Sequence, residues 1–193
     1  MALAVPPIPR DTDIGVIGAG QLTASQCQDI IKLHKDSQNP YKEGRIQQET
    51  SFKANKIIRD VNSWIIHENH DWVDSLLIEA AQEANTQFGF NLTGMMERPQ
   101  LLQYQSPSHG YDWHLDIGNG DNSTRKISIS IALSPDKGYG GGELCMFTRG
   151  ETAIKLTQGL IAAFPSFMPH RVKPVTTGER WALVCWIHGE PFR

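Results

Sequence analysis

A histidine and an aspartate stand two residues apart in Tyr111-Asp112-Trp113-His114-Leu115-Asp116. Alternate residues of an extended strand point to the same side, so both can face one interior point. One imidazole and one carboxylate are too few to hold a metal, but Met168-Pro169-His170-Arg171-Val172 supplies a second histidine far along the chain. Two imidazoles and one carboxylate can occupy one face of an octahedron around non-haem Fe(II), leaving positions open for a bidentate cosubstrate and dioxygen. The single carboxylate offsets part of the ion's charge without filling the sites where oxygen must react. His114, Asp116 and His170 are therefore the candidate ligands. Beyond the Thr176-Thr177-Gly178 turn lies Arg180, where the chain can double back toward the metal. Its planar fork of donors suits the remote carboxylate of 2-oxoglutarate and would fix the distance of that carboxylate from the ion. Taken singly, a His-x-Asp on an edge strand and a snorkelling arginine are ordinary surface features; their combination is what points to chemistry.

Positioning these groups calls for short strands, and the C-terminal half provides them. From Arg98 onward apolar residues recur with a period near two, over Gln100 to Gln105, Lys126 to Leu133, Glu143 to Phe147, Leu160 to Phe164 and Arg180 to Ile187. Turn residues separate the segments at Ser134-Pro135-Asp136, Gly138 to Gly142, Arg149-Gly150 and Thr176-Thr177-Gly178. The first half reads as helices. Thr23 and Gln26 form a capping box ahead of Cys27, Ile30, Ile31 and Leu33, predicting a helix over 23–36. Trp72, Leu76, Leu77, Ala80 and Ala84 share one face of a second helix, from Asp71 to Gln87, which Gly89 can terminate. Between them, 39–55 is long and polar, a candidate substrate lid bearing Tyr41, Arg45 and Phe52. The pattern is that of an α+β jelly roll with N-terminal supporting helices. The expected organisation is a single domain over 1–193, with 1–97 mainly helical support and lid, and 98–193 the jelly-roll core.

Tyr104, Gly110, Tyr111, His114 and Asp116, then Tyr139-Gly140-Gly141-Gly142-Glu143-Leu144, Pro169-His170-Arg171-Val172, Pro174-Val175, Gly178 and Arg180 form an ordered set. This set resembles the prolyl 4-hydroxylase-like branch of the Fe(II)/2-oxoglutarate oxygenases, strongly over the C-terminal half. Ile58 to Ile65 is more faintly similar to the same branch. The resemblance implies a double-stranded β-helix preceded by helices. It makes His114, Asp116 and His170 iron ligands, Arg180 the partner of the 2-oxoglutarate C5 carboxylate, and Tyr104 a cosubstrate-pocket tyrosine. It further implies hydroxylation of an unactivated C–H bond, with Fe(2+), 2-oxoglutarate, O2 and ascorbate as cofactors and a prolyl residue of a peptide or protein as substrate. Trp186 stands at an even offset from Arg180 and would wall the same pocket. A second tyrosine that some prolyl hydroxylases place on the following strand is missing, since 127–133 carries serines, isoleucines, alanine and leucine.

Other features have plainer explanations. Gly140 to Gly142 permit a turn or bulge, with Glu143 as a structural hydrogen-bonding group. His67-Glu68-Asn69-His70 reads as solvated loop rather than a second metal site, His109 is a candidate for approaching the first site, and Trp113 and Leu115 are expected to pack between sheet and helices. Gly15 to Leu22 resembles a dinucleotide-binding turn but has Thr23 at the third glycine, and no alternating strands and helices follow. Net charge is −3 without a basic stripe, so a nucleic-acid partner is not expected. No apolar run approaches the roughly 20 residues of a membrane span. Cys27, Cys145 and Cys185 are scattered and never paired as Cys-x-x-Cys, which fits a reducing, cytoplasmic setting. The alternatives are a hydroxylase of a free amino acid or other small molecule, and a non-enzymatic metal-binding jelly roll.

Overall fold

The computed structural model describes residues 15–36, 42–43, 45–48, 51–54, 59–67 and 70–192. In chain order the elements are β1 (Ile17–Gln21), α1 (Ala24–Asp36), β2 (Lys42–Glu43), β3 (Arg45–Gln48), β4 (Ser51–Ala54), β5 (Arg59–Asp60), β6 (Asn62–Ile65) and α2 (Asp71–Phe88). There follow β7 (Leu92–Gly94), β8 (Gln100–Gln105), β9 (Gly110–His114), β10 (Arg125–Ala132), β11 (Tyr139–Gly141), β12 (Leu144–Phe147), β13 (Glu151–Ile154), β14 (Leu160–Pro165), β15 (His170–Val172) and β16 (Val175–Gly189). The major sheet runs β1-β14-β10-β16-β8-β6-β2, with β7 and β11 also paired to β16. A minor sheet runs β13-β12-β15-β9-β5, and β3 and β4 form a separate antiparallel pair. Facing antiparallel sheets whose strands cross between them make the double-stranded β-helix, a jelly roll.

The period of two in the sequence builds two cores, one on each face of the major sheet. On β10, Ile127, Ile129 and Ile131 point to one side and Ser128 and Ser130 to the other; all eight residues of the strand are buried. On β16, Trp181, Leu183, Cys185 and Ile187 join the isoleucines, whereas Arg180, Ala182, Val184 and Trp186 face the minor sheet. The first side is covered by helices. Val73, Leu77, Ala80, Ala81, Ala84 and Phe88 of α2 and Cys27 and Ile30 of α1 pack there, and the His34 ring of α1 meets Trp64 and Trp181 with centroids 5.5 and 5.2 Å apart. Between the sheets lies the second core, which includes Val61, Leu102, Tyr104, Leu144, Met146 and Phe164.

The helices follow their caps. Gln26 N donates to Thr23 Oγ1 at 3.3 Å and Thr23 N donates to Gln26 Oε1 at 2.9 Å, the reciprocal pair of a capping box. Gly89 ends α2 in the left-handed conformation, φ 67°, its N–H returning to the Asn85 carbonyl at 2.9 Å. No helix among the described residues is long and apolar enough to cross a membrane.

Several expectations change. The first half adds strands to its helices: β1, β5 and β6 join the two sheets, with Gly15 to Leu22 leading into and forming the edge strand β1. Within the expected lid loop, β2 extends the major sheet and Arg45–Gln48 pairs with Ser51–Ala54; Tyr41 lies outside the described residues, as do Glu68 and Asn69. Their sequences are polar and carry no period of two, so no local pattern marks them as strands. Thr176-Thr177-Gly178 is not a turn but part of β16, where pairing with β11 continues through a bulge at Gly140 and Gly141. Trp113 and Leu115 do not pack against helices. They lie on the outer face of the minor sheet, 36% and 48% exposed, with Trp113 edge-on to Phe147.

Candidate functional site

His114 and His170 meet because their strands pair in register. On the antiparallel pair β9 and β15 they stand directly opposite one another, and their ring centroids are 4.2 Å apart. Asp116 follows two residues after His114, its backbone N–H held by the Ser166 carbonyl at 3.0 Å. Asp116 Oδ1 lies 3.7 Å from His114 Nε2, and Oδ2 lies 3.5 Å from His170 Nε2. One donor atom from each residue falls within 4.8 Å of the others, the only such metal-capable grouping among the described residues.

The protonation pattern suits a cation. His114 Nδ1 lies 2.7 Å from the Asp112 carbonyl, and His170 Nδ1 lies 3.0 Å from the Met168 carbonyl. A carbonyl only accepts, so each Nδ1 carries a proton, the tautomer that turns Nε2 of a neutral ring toward the centre. Burial, together with the neighbouring His170, pulls the His114 pKa down to about 3, which keeps the ring neutral. Burial alone would raise the Asp116 carboxyl, but the two imidazoles and the Ser128 and Trp186 donors outweigh it and hold the pKa at about 2. Two imidazole nitrogens and one ionised carboxylate thus converge, the donor set of a facial triad.

Behind the carboxylate is a buried support. Ser128 Oγ donates to Asp116 Oδ2 at 2.6 Å and lies 3.0 Å from Ser166 Oγ. Arg125 donates to the Asp116 carbonyl at 3.0 Å, pairs bidentately with Glu97 at 2.6 and 2.7 Å, and lies over the Trp186 ring at 3.9 Å. One guanidinium therefore fixes both the backbone of Asp116 and the indole beside it.

The triad opens into a cavity between the sheets. Arg180, Tyr104 and Trp186 all line it. Arg180 is 3% exposed and stands opposite Tyr104 on β8, its guanidinium 5.3 Å from the phenol ring centroid. Among the described residues it has no acidic partner. Burial raises the Tyr104 pKa and lifts that of Tyr111 to about 12, so both phenols remain hydrogen-bond donors. The lining carries two guanidiniums, of Arg59 and Arg180, against the single carboxylate of Asp116. A divalent cation beside Asp116 together with a dianion reaching Arg180 fits this distribution of charge, since buried charge is costly until it is paired.

His109, by contrast, is exposed and does not line the cavity; its N–H donates to Asp60 at 3.0 Å. His67 and His70 join no metal-capable group among the described residues. Sequence reasoning gave no role to Arg59, Tyr111, Ser128 or Ser130, all of which line the cavity. Tyr111 stacks on His114 with ring centroids 3.5 Å apart and an interplanar angle of 14°. The signal for the serines was present: two hydroxyls at the same parity, alternating with isoleucines along 127–131.

Residues 99–188 match the profile described as the 2OG-Fe(II) oxygenase superfamily. A PKHD-type hydroxylase of Hyphomonas neptunium is 39% identical over 94 residues, covering 46% of this chain and 42% of the relative. One from Colwellia psychrerythraea is 34% identical over 114 residues, covering 57% and 51%. The chain thus spans about half the length of the curated relatives it matches. The fold is similar to a Pseudomonas putida prolyl-4-hydroxylase, with TM-score 0.71 at 19% identity over 90% of this chain and 91% of that one. It is also similar to a Trichoplax adhaerens prolyl hydroxylase in complex with a hypoxia inducible factor oxygen degradation domain peptide fragment, with TM-score 0.70 at 20% identity over 90% and 82%. Residues 99–188 are thus similar in sequence to the 2OG-Fe(II) oxygenase superfamily, and the jelly roll that carries the triad is similar in fold to prolyl hydroxylases.

Proposed function

We propose that this chain is an Fe(II)- and 2-oxoglutarate-dependent dioxygenase that hydroxylates an unactivated C–H bond, with a prolyl residue of a peptide or protein as substrate. The observation that carries the reading is the pairing of a two-histidine, one-carboxylate cluster with Arg180, a buried guanidinium lining the same cavity without an acidic partner among the described residues. A purely structural metal has no use for that second cation. His114, Asp116 and His170 would hold the ion, and Arg180, assisted by Tyr104, would hold the far carboxylate of the cosubstrate. When bound, iron and 2-oxoglutarate supply the activation of dioxygen, which ends in succinate, carbon dioxide and a hydroxylated product. The protein's part is to orient both ligands and keep water away.

The prolyl substrate is supported by the names of the two prolyl hydroxylases of similar fold and by the peptide bound to the Trichoplax enzyme. The segment 39–55 is proposed to contact such a substrate. The test is to incubate the full chain with Fe(II), ascorbate, 2-oxoglutarate and O2, following succinate and peptide mass together. Proline-containing peptides should gain one oxygen in step with succinate. Succinate without peptide product, but with an oxidised free amino acid, would replace the substrate class. No succinate with any peptide or amino acid would leave only a metal-binding module.

A further inference from the structure

Three phenylalanines and a lysine meet at one end of the jelly roll, and none of them lines the cavity. Phe192 lies beyond β16 and Phe167 on the connection between β14 and β15; both are exposed. Their rings meet edge-on with centroids 5.8 Å apart, and each also meets Phe90 edge-on, at 6.2 and 6.4 Å. Phe90 packs in turn against the helix-covered core, which ties the cluster to the body of the protein. Beneath Phe192 stands Lys126 of β10. It is 4% exposed, and its Nζ has no hydrogen-bond partner among the described residues but lies 3.3 Å from the Phe192 ring centroid. A buried ammonium is costly unless something meets its charge, and the negative face of the ring does so.

Phe167 occupies the tip of a tight turn, Pro165 to Met168, closed by the Met168 N–H on the Pro165 carbonyl at 2.9 Å. Two of the three candidate metal ligands rest on this turn. The Ser166 carbonyl takes the N–H groups of Asp116 and Ile117 at 3.0 and 3.1 Å, and the Met168 carbonyl lies 3.0 Å from His170 Nδ1. Ser166 is held from its other side, where its N–H donates to the Lys126 carbonyl at 2.9 Å. Phe192 thus meets both Phe167, next in the chain after Ser166, and Lys126, which grips Ser166 by a hydrogen bond.

We propose that Phe192 is a positioning residue for the metal centre: seated on Lys126, it holds the Phe167 ring and with it the turn that supports Asp116 and His170. This inference rests on the reading of His114, Asp116 and His170 as metal ligands. Because Phe192 stays outside the cavity, its effect is on where the ligands stand and not on what enters.

The experiment is titration of Zn(II) and Co(II) into the full chain, read by calorimetry and by the visible absorption of bound Co(II), with thermal melting recorded in parallel. Phe192→Ala should weaken Zn(II) binding about tenfold, the lower end of the range for groups that orient a ligand, and alter the Co(II) spectrum. Phe192→Tyr, which keeps the ring, should restore both. Phe192→Ala and Phe167→Ala should not add, the double variant losing about as much as the larger single loss. Wild-type affinity and spectrum in Phe192→Ala, whatever its melting temperature, would overturn the proposal, as would equal losses in the Ala and Tyr variants or additive losses in the double variant. If Phe192→Ala does not fold, Phe192→Leu, which keeps apolar bulk without the ring face, takes its place under the same criteria. In each of these cases Zn(II) binding by the wild type leaves the reading of the triad intact, whereas a wild type that binds neither ion overturns both.

Discussion

The hydroxyl of Ser128 lies 2.6 Å from Oδ2 of Asp116 and donates to it, although the two residues come from different parts of the jelly roll. That bond occupies one carboxylate oxygen and orients the other group of lone pairs toward the histidines. Ser128→Ala should lower Zn(II) or Co(II) affinity by about 10- to 100-fold, the range for partners that orient a ligand. His170→Ala, which removes a proposed ligand outright, should lose more. Metal titration followed by calorimetry distinguishes them; wild-type affinity in Ser128→Ala would show that backbone contacts alone position Asp116.

Arg180 should govern the cosubstrate and not the ion. Truncating one partner of a buried charged pair costs about 2 to 5 kcal/mol, so Arg180→Ala should bind 2-oxoglutarate at least about tenfold more weakly while retaining metal. Arg180→Lys should recover part of the loss, because an ammonium keeps the charge but not the fork. Unchanged 2-oxoglutarate affinity in Arg180→Ala would place the anchor elsewhere.

Gly142 supports Arg180 from below without lining the cavity. Its φ is +72°, and a Cβ built there would come within 2.8 Å of Arg180 Cδ and 3.0 Å of Val175 Cγ2. Gly142→Ala is therefore strained in the backbone and crowds Arg180. The expected outcome is weaker 2-oxoglutarate binding with metal affinity preserved. Loss of stability with normal cosubstrate affinity in the folded fraction would mean that Arg180 swings aside freely.

Cys185 gives the fold an alkaline limit. The thiol is 1% exposed, and burial, reinforced by Glu97 and Asp74 and opposed by Arg98, pushes its pKa to about 12. The folded state favours the protonated thiol, so this contribution is complete below the ordinary value of 9.0 and disappears as pH rises from there to about 12. Urea denaturation of wild type and Cys185→Ala should show the difference between them shifting against the wild type across that window. A difference independent of pH would mean that Cys185 does not ionise on unfolding there.

Much of the site was legible because period two carries over distance. His114 and Asp116 share a parity, as do Arg180 and Trp186, and burial of the opposite parity leaves them only one way to face. The capping box and Gly89 set the helix ends by local chemistry, which a sequence displays directly. What was not legible came from pairing. β1, β2, β5 and β6 are short or polar and become strands because a neighbouring edge offers hydrogen bonds, which no local pattern announces. Ser128 was overlooked for the same reason: its partner Asp116 is fixed by tertiary register.

The candidate ligand groups also straddle the seam between the two sheets. His114 and His170 belong to the minor sheet, while Ser128, Trp186 and Arg180 belong to the major one. A metal with its cosubstrate would act as a clasp across two leaves, so part of the binding energy goes into suppressing their breathing. Affinity and stiffness are then linked: whatever loosens the packing of one sheet on the other weakens the grip, even when every ligating atom is untouched.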